Sequence, residues 1–291
     1  VAIMTRTITA IRRDFRARLE ERRIIVAPGV FDTLSAWLAE TVGFEALFFS
    51  GSAMAYAQLA RPDIGMLTMT ELTDAVARAA ERVSIPIVAD VDSGYGAAPH
   101  AARLMRSFER AGAAAVQLED QVVVKPDDSL SSRPLVTVEQ MTGKIRAMLD
   151  ARQSDDMLLS ARTDARDPGE AIERCAAYRA AGADLVFPEG MTRAADLARL
   201  AAAVGPETPI VYNTIYPDGE ATDAAGLEAQ GVRVALFPGV AIQNAAAGML
   251  GGLEKLKLDP SLGGGAKSPL PGPKFLEKLE VDEFLDRFWK R

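Results

Sequence analysis

Eight short apolar runs alternate with Ala-rich segments of helical period, and this alternation constrains the fold of the 291-residue chain more than any other feature. The runs are Ile24–Val26, Ala46–Phe49, Ile85–Ala89, Ala115–Leu118, Met157–Leu159, Leu185–Phe187, Ile210–Tyr212 and Val232–Phe237. Most are too short for helices and are bounded by Gly, Pro or charge, which reads as buried strands. The segments between them carry helix signals. Thr137 with Gln140 forms a capping box, and Asp167, Pro168 and Glu170 supply a cap, a proline at the first helical position and a reciprocal Glu. Ala111-Gly112-Ala113 and Ala181-Gly182-Ala183 each end a helix and lead into a strand. Eight strand–helix units over roughly 240 residues predict a (β/α)8 TIM barrel, whose usual size is about 250 residues. A doubly wound sheet is the alternative, weakened because no Gly-x-Gly-x-x-Gly follows the first strand.

Two connections exceed barrel spacing, from Ser50 to the helix near Thr70 and from Glu119 to about Thr137. Both leave the C-terminal end of a strand, where barrel enzymes build their sites, and both read as functional loops. The sequence divides into a barrel over residues 1–257 and an extension over residues 258–291. The extension is a Gly/Pro-rich linker, Leu258 to Pro273, followed by an apolar helical pattern from Phe275 to Trp289. A helix packed on its own barrel and a helix docked on a neighbouring subunit both fit that pattern.

Composition excludes several functions. The net charge is −7 and there is no basic tract, so the chain is a poor nucleic-acid binder. One Cys and one His exclude a disulfide framework, a Cys-built zinc site and a multi-His metal site. No apolar run is long enough to span a bilayer. The charged N-terminal segment, with Arg6, Arg12, Arg13, Asp14 and Arg16, does not read as a signal peptide, so the expected location is the cytoplasm.

Placed at the strand ends, the polar residues converge on one rim. They are Asp90 and Asp92 after the third strand, Glu119 and Asp120 after the fourth, Arg162 and Asp164 after the fifth, Glu189 after the sixth and Asn213 after the seventh. Gathered carboxylates repel unless a cation neutralises them. A hard divalent ion with oxygen ligands does so, which makes Asp90, Asp92 and Glu119 the natural set for Mg2+, with Mn2+ as the alternative. Ser50-Gly51-Ser52 after the second strand consists of small residues that let backbone N–H groups approach an anion closely, or it forms an ordinary βα turn. Arg162 suits a carboxylate held by two bonds, or a plain ion pair with a rim acid. Asp164 reads as a rim acid or a helix cap, and Asp120 as a structural partner. His100 and Cys175 read as a surface or helix residue and a packed core residue.

At these positions the chain resembles the isocitrate lyase/phosphoenolpyruvate mutase superfamily. The resemblance rests on Pro28 to Ala36, Ser50-Gly51-Ser52, Pro62-Asp63-Ile64-Gly65, Asp90-Val91-Asp92-Ser93-Gly94-Tyr95-Gly96, Leu118-Glu119-Asp120-Gln121, Ala161 to Ala165 and Glu189. It implies a barrel acting on small 2-oxo or 2-hydroxy acids through a metal-stabilised enolate. Asp90 would bind Mg2+, with Asp92 and Glu119 acting directly or through water. The Ser50–Ser52 backbone and Arg162 would hold the substrate, and Asp63 would sit on a gating loop. It also implies a dimer or tetramer exchanging C-terminal helices.

One departure concerns the chemistry. The lyase branch carries Lys-Lys-Cys-Gly-His or Lys-Arg-Cys-Gly-His after Glu-Asp-Gln, with Cys as proton donor. Here the aligned residues are Lys125-Pro126-Asp127-Asp128-Ser129, which keeps the Lys and puts Asp127 in place of the Cys. The phosphonopyruvate branch has Asn at that position, where an Asp would repel a phosphonate. Lys125 and Asp127 join Arg162 as candidate catalytic residues, with Asp127 as a general acid or base reaching the pocket when the loop closes, or alternatively a solvated loop residue beside Asp128. The expected activity is Mg2+-dependent carbon–carbon cleavage of a small 2-oxo or 2-hydroxy dicarboxylate by a lyase, decarboxylase or hydrolase. A phosphonopyruvate mutase or hydrolase, and a barrel that binds a small acid without turnover, are the alternatives.

Overall fold

The structure is a computed structural model that describes residues 6–122, 134–215, 223–260, 270, 272–282 and 285. Eight parallel strands close into a barrel in sequence order: β1 (Ile25–Val30), β2 (Leu47–Phe49), β3 (Ile87–Asp90), β4 (Ala115–Glu119), β5 (Leu158–Thr163), β6 (Leu185–Pro188), β7 (Ile210–Asn213) and β8 (Val232–Phe237). Each lies on one of the apolar runs. β1 pairs with both β2 and β8, which closes the ring. The helices that precede or follow the strands are α1 (Ile8–Glu20), α2 (Thr33–Val42), α3 (Gly51–Leu59), α4 (Met69–Arg82), α5 (Ala98–Arg110), α6 (Val138–Ala151), α7 (Pro168–Ala180), α8 (Ala194–Val204) and α9 (Ala224–Ala229).

The sequence explains the helix ends. The side chains of Asp32, Thr68 and Thr137 each accept from the backbone N–H of the third residue of a helix, and their own N–H groups donate back to that residue's side chain. Asp167 caps α7 through the Glu170 N–H, but the Glu170 carboxylate does not reach back as expected; it pairs with Arg174 one turn on, at 2.8 Å. Gly112 and Gly182 end α5 and α7 with φ of 92° and 107°, left-handed values that glycine adopts without a steric cost.

Alternate strand residues fill the barrel. Phe48, Val88, Leu158, Phe187, Val211 and Leu236 belong to one buried cluster inside it. Val186, Ile210 and Val232 belong to a second, with Leu197, Leu200 and Cys175 from the helices. Each large side chain so buried contributes about 1.5–3 kcal/mol of hydrophobic stabilisation. β1 runs on through Pro28 and Gly29, which read as turn residues in isolation. A side chain at Gly29 would place its Cβ 2.1 Å from the Pro238 carbonyl oxygen, so the close approach of the chain after β8 requires glycine there.

The first long connection is not a plain loop. Its first nine residues form α3, capped by the Ser50 hydroxyl. In the second, a short stem is described: Gln121 and Leu135 form an antiparallel bridge, and Val136 N–H donates to the Asp120 carbonyl at 2.8 Å. Lys125 and Asp127 lie outside the described residues.

The chain divides into two compact units, Met4–Ile242 and a second comprising Gln243–Arg291 with Val1–Ile3. The C-terminal region carries α10 (Val240–Leu258) and α11 (Gly272–Lys278). Met249, Leu250, Leu253 and Leu256 recur at helical spacing on α10 and are exposed. No described helix is long and apolar enough to cross a membrane.

Candidate active site

The register fixes which side chains share the barrel mouth. Glu119 pairs with Arg162 across β4 and β5, and one layer deeper Asp90, Gln117 and Ser160 lie side by side across β3, β4 and β5. Paired residues on neighbouring strands project to the same face. The expected rim of acids around one arginine is therefore formed.

Arg162 is its centre. Its Nε and Nη2 donate to the two carboxylate oxygens of Asp164 at 2.9 and 2.8 Å. Glu119 and Glu189 approach to 3.8 and 3.7 Å, and the guanidinium carbon lies 5.3 Å from the Phe187 ring centre. Burial works against the charge, but Asp164, Glu189 and Glu119 outweigh it and hold the guanidinium pKa well above the ordinary value. Asp164 is thus a partner of Arg162, while the cap of α7 is Asp167. Asn213 donates to Glu189 at 3.1 Å, which orients that carboxylate.

Asp120 is fully buried, as its expected structural role requires. Its Oδ1 accepts from the Asp164 N–H at 3.0 Å. Its Oδ2 accepts from the Tyr178 hydroxyl at 2.6 Å and from Arg174 Nη1 at 3.2 Å. Burial raises its pKa, and the bonds from Tyr178, Thr163 and Asp164 and the charge of Arg174 oppose the rise. Arg174 also donates to the Val136 carbonyl at 3.1 Å. One buried carboxylate just after β4 therefore ties the Arg162–Asp164 pair to α7 and to the Gln121–Leu135 stem.

The turn after β3 is tightly folded. Asp92, Gly94, Tyr95 and Gly96 have φ of 46°, 86°, 55° and 150°. Left-handed backbone at a residue other than glycine costs about 1–3 kcal/mol, and such strain concentrates at functional sites. The turn is held by Glu119 N–H donating to the Asp92 carbonyl at 2.9 Å, and by Lys144 Nζ donating to the Ser93 carbonyl at 2.8 Å. Lys144 reaches in from α6; burial lowers its pKa, against the opposing fields of Glu119 and Asp120. Tyr95 places its hydroxyl where the fields of Asp92, Asp90, Asp63 and Glu119 overlap, and burial first, then those four acids in that order, push its pKa upward.

Ser50 ends β2 and caps α3, its hydroxyl 3.1 Å from that of Ser52. A Cβ at Gly51 would lie 3.4 Å from Asp90 Oδ2, so the start of α3 and the end of β3 are in contact range. Asp63 reaches the same region from the loop after α3, through its field at Tyr95. His100 is exposed, and its Nδ1 accepts from the Ala97 N–H at 3.2 Å. Cys175 is buried in the outer core, and burial raises its thiol pKa, with Asp120 adding to the rise. Both residues play the structural parts expected of them.

Lys144, Arg174, Tyr178, Gln117 and Ser160 were not among the expected site residues. Gln117 carried a readable signal, a polar side chain inside an apolar strand run. Its amide and the Ser160 hydroxyl are buried with no hydrogen-bond partner among the described residues. Lys144, Arg174 and Tyr178 sit on helices, where only the fold reveals that they reach strand ends.

The family model for phosphoenolpyruvate phosphomutase matches residues 15–257. The chain is 34% identical over 262 residues to 2,3-dimethylmalate lyase from Eubacterium barkeri, covering 86% of this chain and 87% of that protein. A crystal structure of 2,3-dimethylmalate lyase, a member of the PEP mutase/isocitrate lyase superfamily, has a TM-score of 0.86 at 31% identity, covering 95% and 93% of the two chains. A phosphonopyruvate hydrolase complex with oxalate and Mg2+ has a TM-score of 0.84 at 26% identity, covering 96% and 99%. The barrel, its acidic rim and these likenesses agree, and the chain belongs to the isocitrate lyase/phosphoenolpyruvate mutase superfamily of enzymes.

Proposed function

We propose that the chain cleaves a carbon–carbon bond of a small 2-oxo or 2-hydroxy dicarboxylate. The observation that carries this reading is the state of Arg162. Two of its nitrogens are fixed on Asp164, and Nη1 has no acceptor among the described residues. A planar donor held in one orientation at the mouth of a barrel suits a carboxylate or a developing oxyanion. The start of α3 supports it. Ala53 N–H is used by the Ser50 hydroxyl and Met54 N–H by the Ser50 carbonyl, which leaves the Gly51 and Ser52 N–H groups to face an anion. In this reading Arg162, Ser50, Gly51 and Ser52 hold the acid, and Asp63, Glu189 and Asn213 shape its surroundings. Lys125 and Asp127 supply the acid–base groups.

The acids also suit a divalent ion. Among the described residues no three His, Cys, Asp or Glu side chains form a ready metal cage. Mg2+ does not need one, because it is held by one or two carboxylates and keeps several waters. The fields of Asp92, Asp90, Asp63 and Glu119 overlap at one hydroxyl, a concentration of negative charge that fits a hard dication, Mg2+ or Mn2+. Asp90 would hold it, with Asp92 and Glu119 acting directly or through water. When bound, the ion would stabilise negative charge developing on the substrate oxygen.

A proton and phosphorus NMR turnover panel of oxaloacetate, 2-methylisocitrate, 2,3-dimethylmalate and phosphonopyruvate tests the reading. The expected result is turnover of a carboxylic acid, slowed at least about tenfold after EDTA treatment and restored by Mg2+. Turnover of phosphonopyruvate alone would replace the reading with phosphorus–carbon chemistry. Ligand-induced stabilisation without turnover of any acid would support a binding barrel.

The exposed apolar face of α10 supports assembly into a homo-oligomer through the C-terminal helices. Light scattering should give a mass at least twice the 31.1 kDa of one chain. A monomer mass at micromolar concentration rejects it.

A further inference from the structure

Tyr95 lies in the motif that leads from β3 to α5, and neither its sequence position nor the reading above gives its hydroxyl a task. The phenol oxygen is buried and has no hydrogen-bond partner among the described residues. Buried hydroxyls are ordinarily paired, so an unpaired one at a site points to a partner that arrives with the ligand. The four acids that act on this oxygen come from three separate places: Asp90 and Asp92 at the end of β3, Asp63 from the loop after α3, and Glu119 at the end of β4. The hydroxyl is therefore carried by the turn at the C-terminal end of β3 and lies within the fields of the rim acids. The backbone that carries it is left-handed at Gly94, Tyr95 and Gly96 in succession. The fold holds that conformation through the Lys144 and Glu119 bonds to the turn. Packing alone does not require a tyrosine there, since a phenylalanine would fill the same space.

We propose that the Tyr95 hydroxyl donates a hydrogen bond to an oxygen of the bound acid, which makes Tyr95 a further substrate-contacting residue. The proposal rests on the reading of this site as an acid-binding one. A neutral phenol suits this position because it donates to an anion without adding charge to a crowded acidic cluster. It also selects for ligands with an oxygen at that point, because a ligand lacking it leaves the hydroxyl unpaired.

The test uses oxalate, a small two-carboxylate anion, titrated calorimetrically into the full-length protein and a Tyr95→Phe variant with Mg2+ present. The variant keeps the ring and loses only the donor. Oxalate should bind the variant roughly tenfold or more weakly, the loss expected for a hydrogen bond to a charged group. Oxalate should also perturb the near-ultraviolet tyrosine absorbance of the parent, and that perturbation should vanish in the variant. Mn2+ affinity measured by electron paramagnetic resonance without oxalate should agree between the two within about twofold. Equal oxalate affinity in the two proteins overturns the proposal and leaves the acid-binding reading intact. A parallel loss of Mn2+ affinity overturns it in favour of a contact to the hydrated ion. A parent that binds no oxalate overturns the acid-binding reading and the proposal with it.

Discussion

An Arg162→Lys protein is expected to fold as the parent does and to lose about a hundred- to a thousandfold in kcat/KM, the range seen when one preorganised donor is removed from an oxyanion site. Lysine keeps a positive charge among Asp164, Glu119 and Glu189, so the acids are not left uncompensated. It cannot reproduce the geometry. Arg162 spends Nε and Nη2 on the two oxygens of Asp164 and still presents Nη1, whereas an ammonium is a point charge on a flexible stem. The closest available acceptor for that ammonium is Asp164, which would turn it away from the substrate. Steady-state kinetics on the acid identified by the turnover panel, with thermal unfolding as a control, checks this. A variant within tenfold of the parent would show that the guanidinium serves only the ion-pair network. Arg162→Met is the less informative change, because it strands three acids at the rim and confounds folding with chemistry.

The arginine was legible because it stands at the end of a strand run and the barrel brings strand ends together. The same rule located Asp90, Glu119, Glu189 and Asn213. What the rule misses are contributions from outside the strand ends. α3 is hard to see in the sequence because Gly51–Leu59 is rich in Ala and small residues and shows no clear apolar stripe. β1 looks short in the sequence because Pro28 and Gly29 are punctuators in most contexts, whereas here the glycine makes room for the Pro238 backbone. β5 looks short in the sequence for another reason. Its last four residues, Ser160–Thr163, carry three polar side chains, and two of them, Ser160 and Arg162, face the site. Lys144, Arg174 and Tyr178 look like ordinary helix residues at their spacing. Their reach to Ser93 and Asp120 depends on how α6 and α7 pack over the strand ends, which local periodicity does not encode. The acid–base candidates Lys125 and Asp127 remain assignments from resemblance and charge.

The second large effect is expected at Asp120, a residue that touches no substrate in this reading. An Asp120→Ala protein should be less stable by about 3–5 kcal/mol, the cost of removing one partner from a buried charged cluster. Four donors act on this carboxylate: the Asp164 N–H, the Tyr178 hydroxyl, Arg174 Nη1 and the Thr163 side chain. Tyr178 is fully buried, and its hydroxyl would lose the acceptor for its proton, keeping only the bond it accepts from Arg174 Nη1 at 3.2 Å. Arg174 keeps Glu170 at 2.8 Å, and most of the cost therefore falls on Tyr178 and Asp164. Urea denaturation measures the loss, and an unchanged midpoint would remove Asp120 from its structural role. Asp120→Asn separates the two sides of the cluster. The amide oxygen still accepts from the Asp164 N–H, while the amide nitrogen meets Arg174 as donor against donor. If the Asp164 anchor is what matters for Arg162, the Asn variant should recover most of the kcat/KM lost in the Ala variant while recovering only part of the stability. Recovery of stability without recovery of kcat/KM would instead place the catalytic influence of Asp120 in the clamp on the 134–136 stem, where Arg174 holds the Val136 carbonyl.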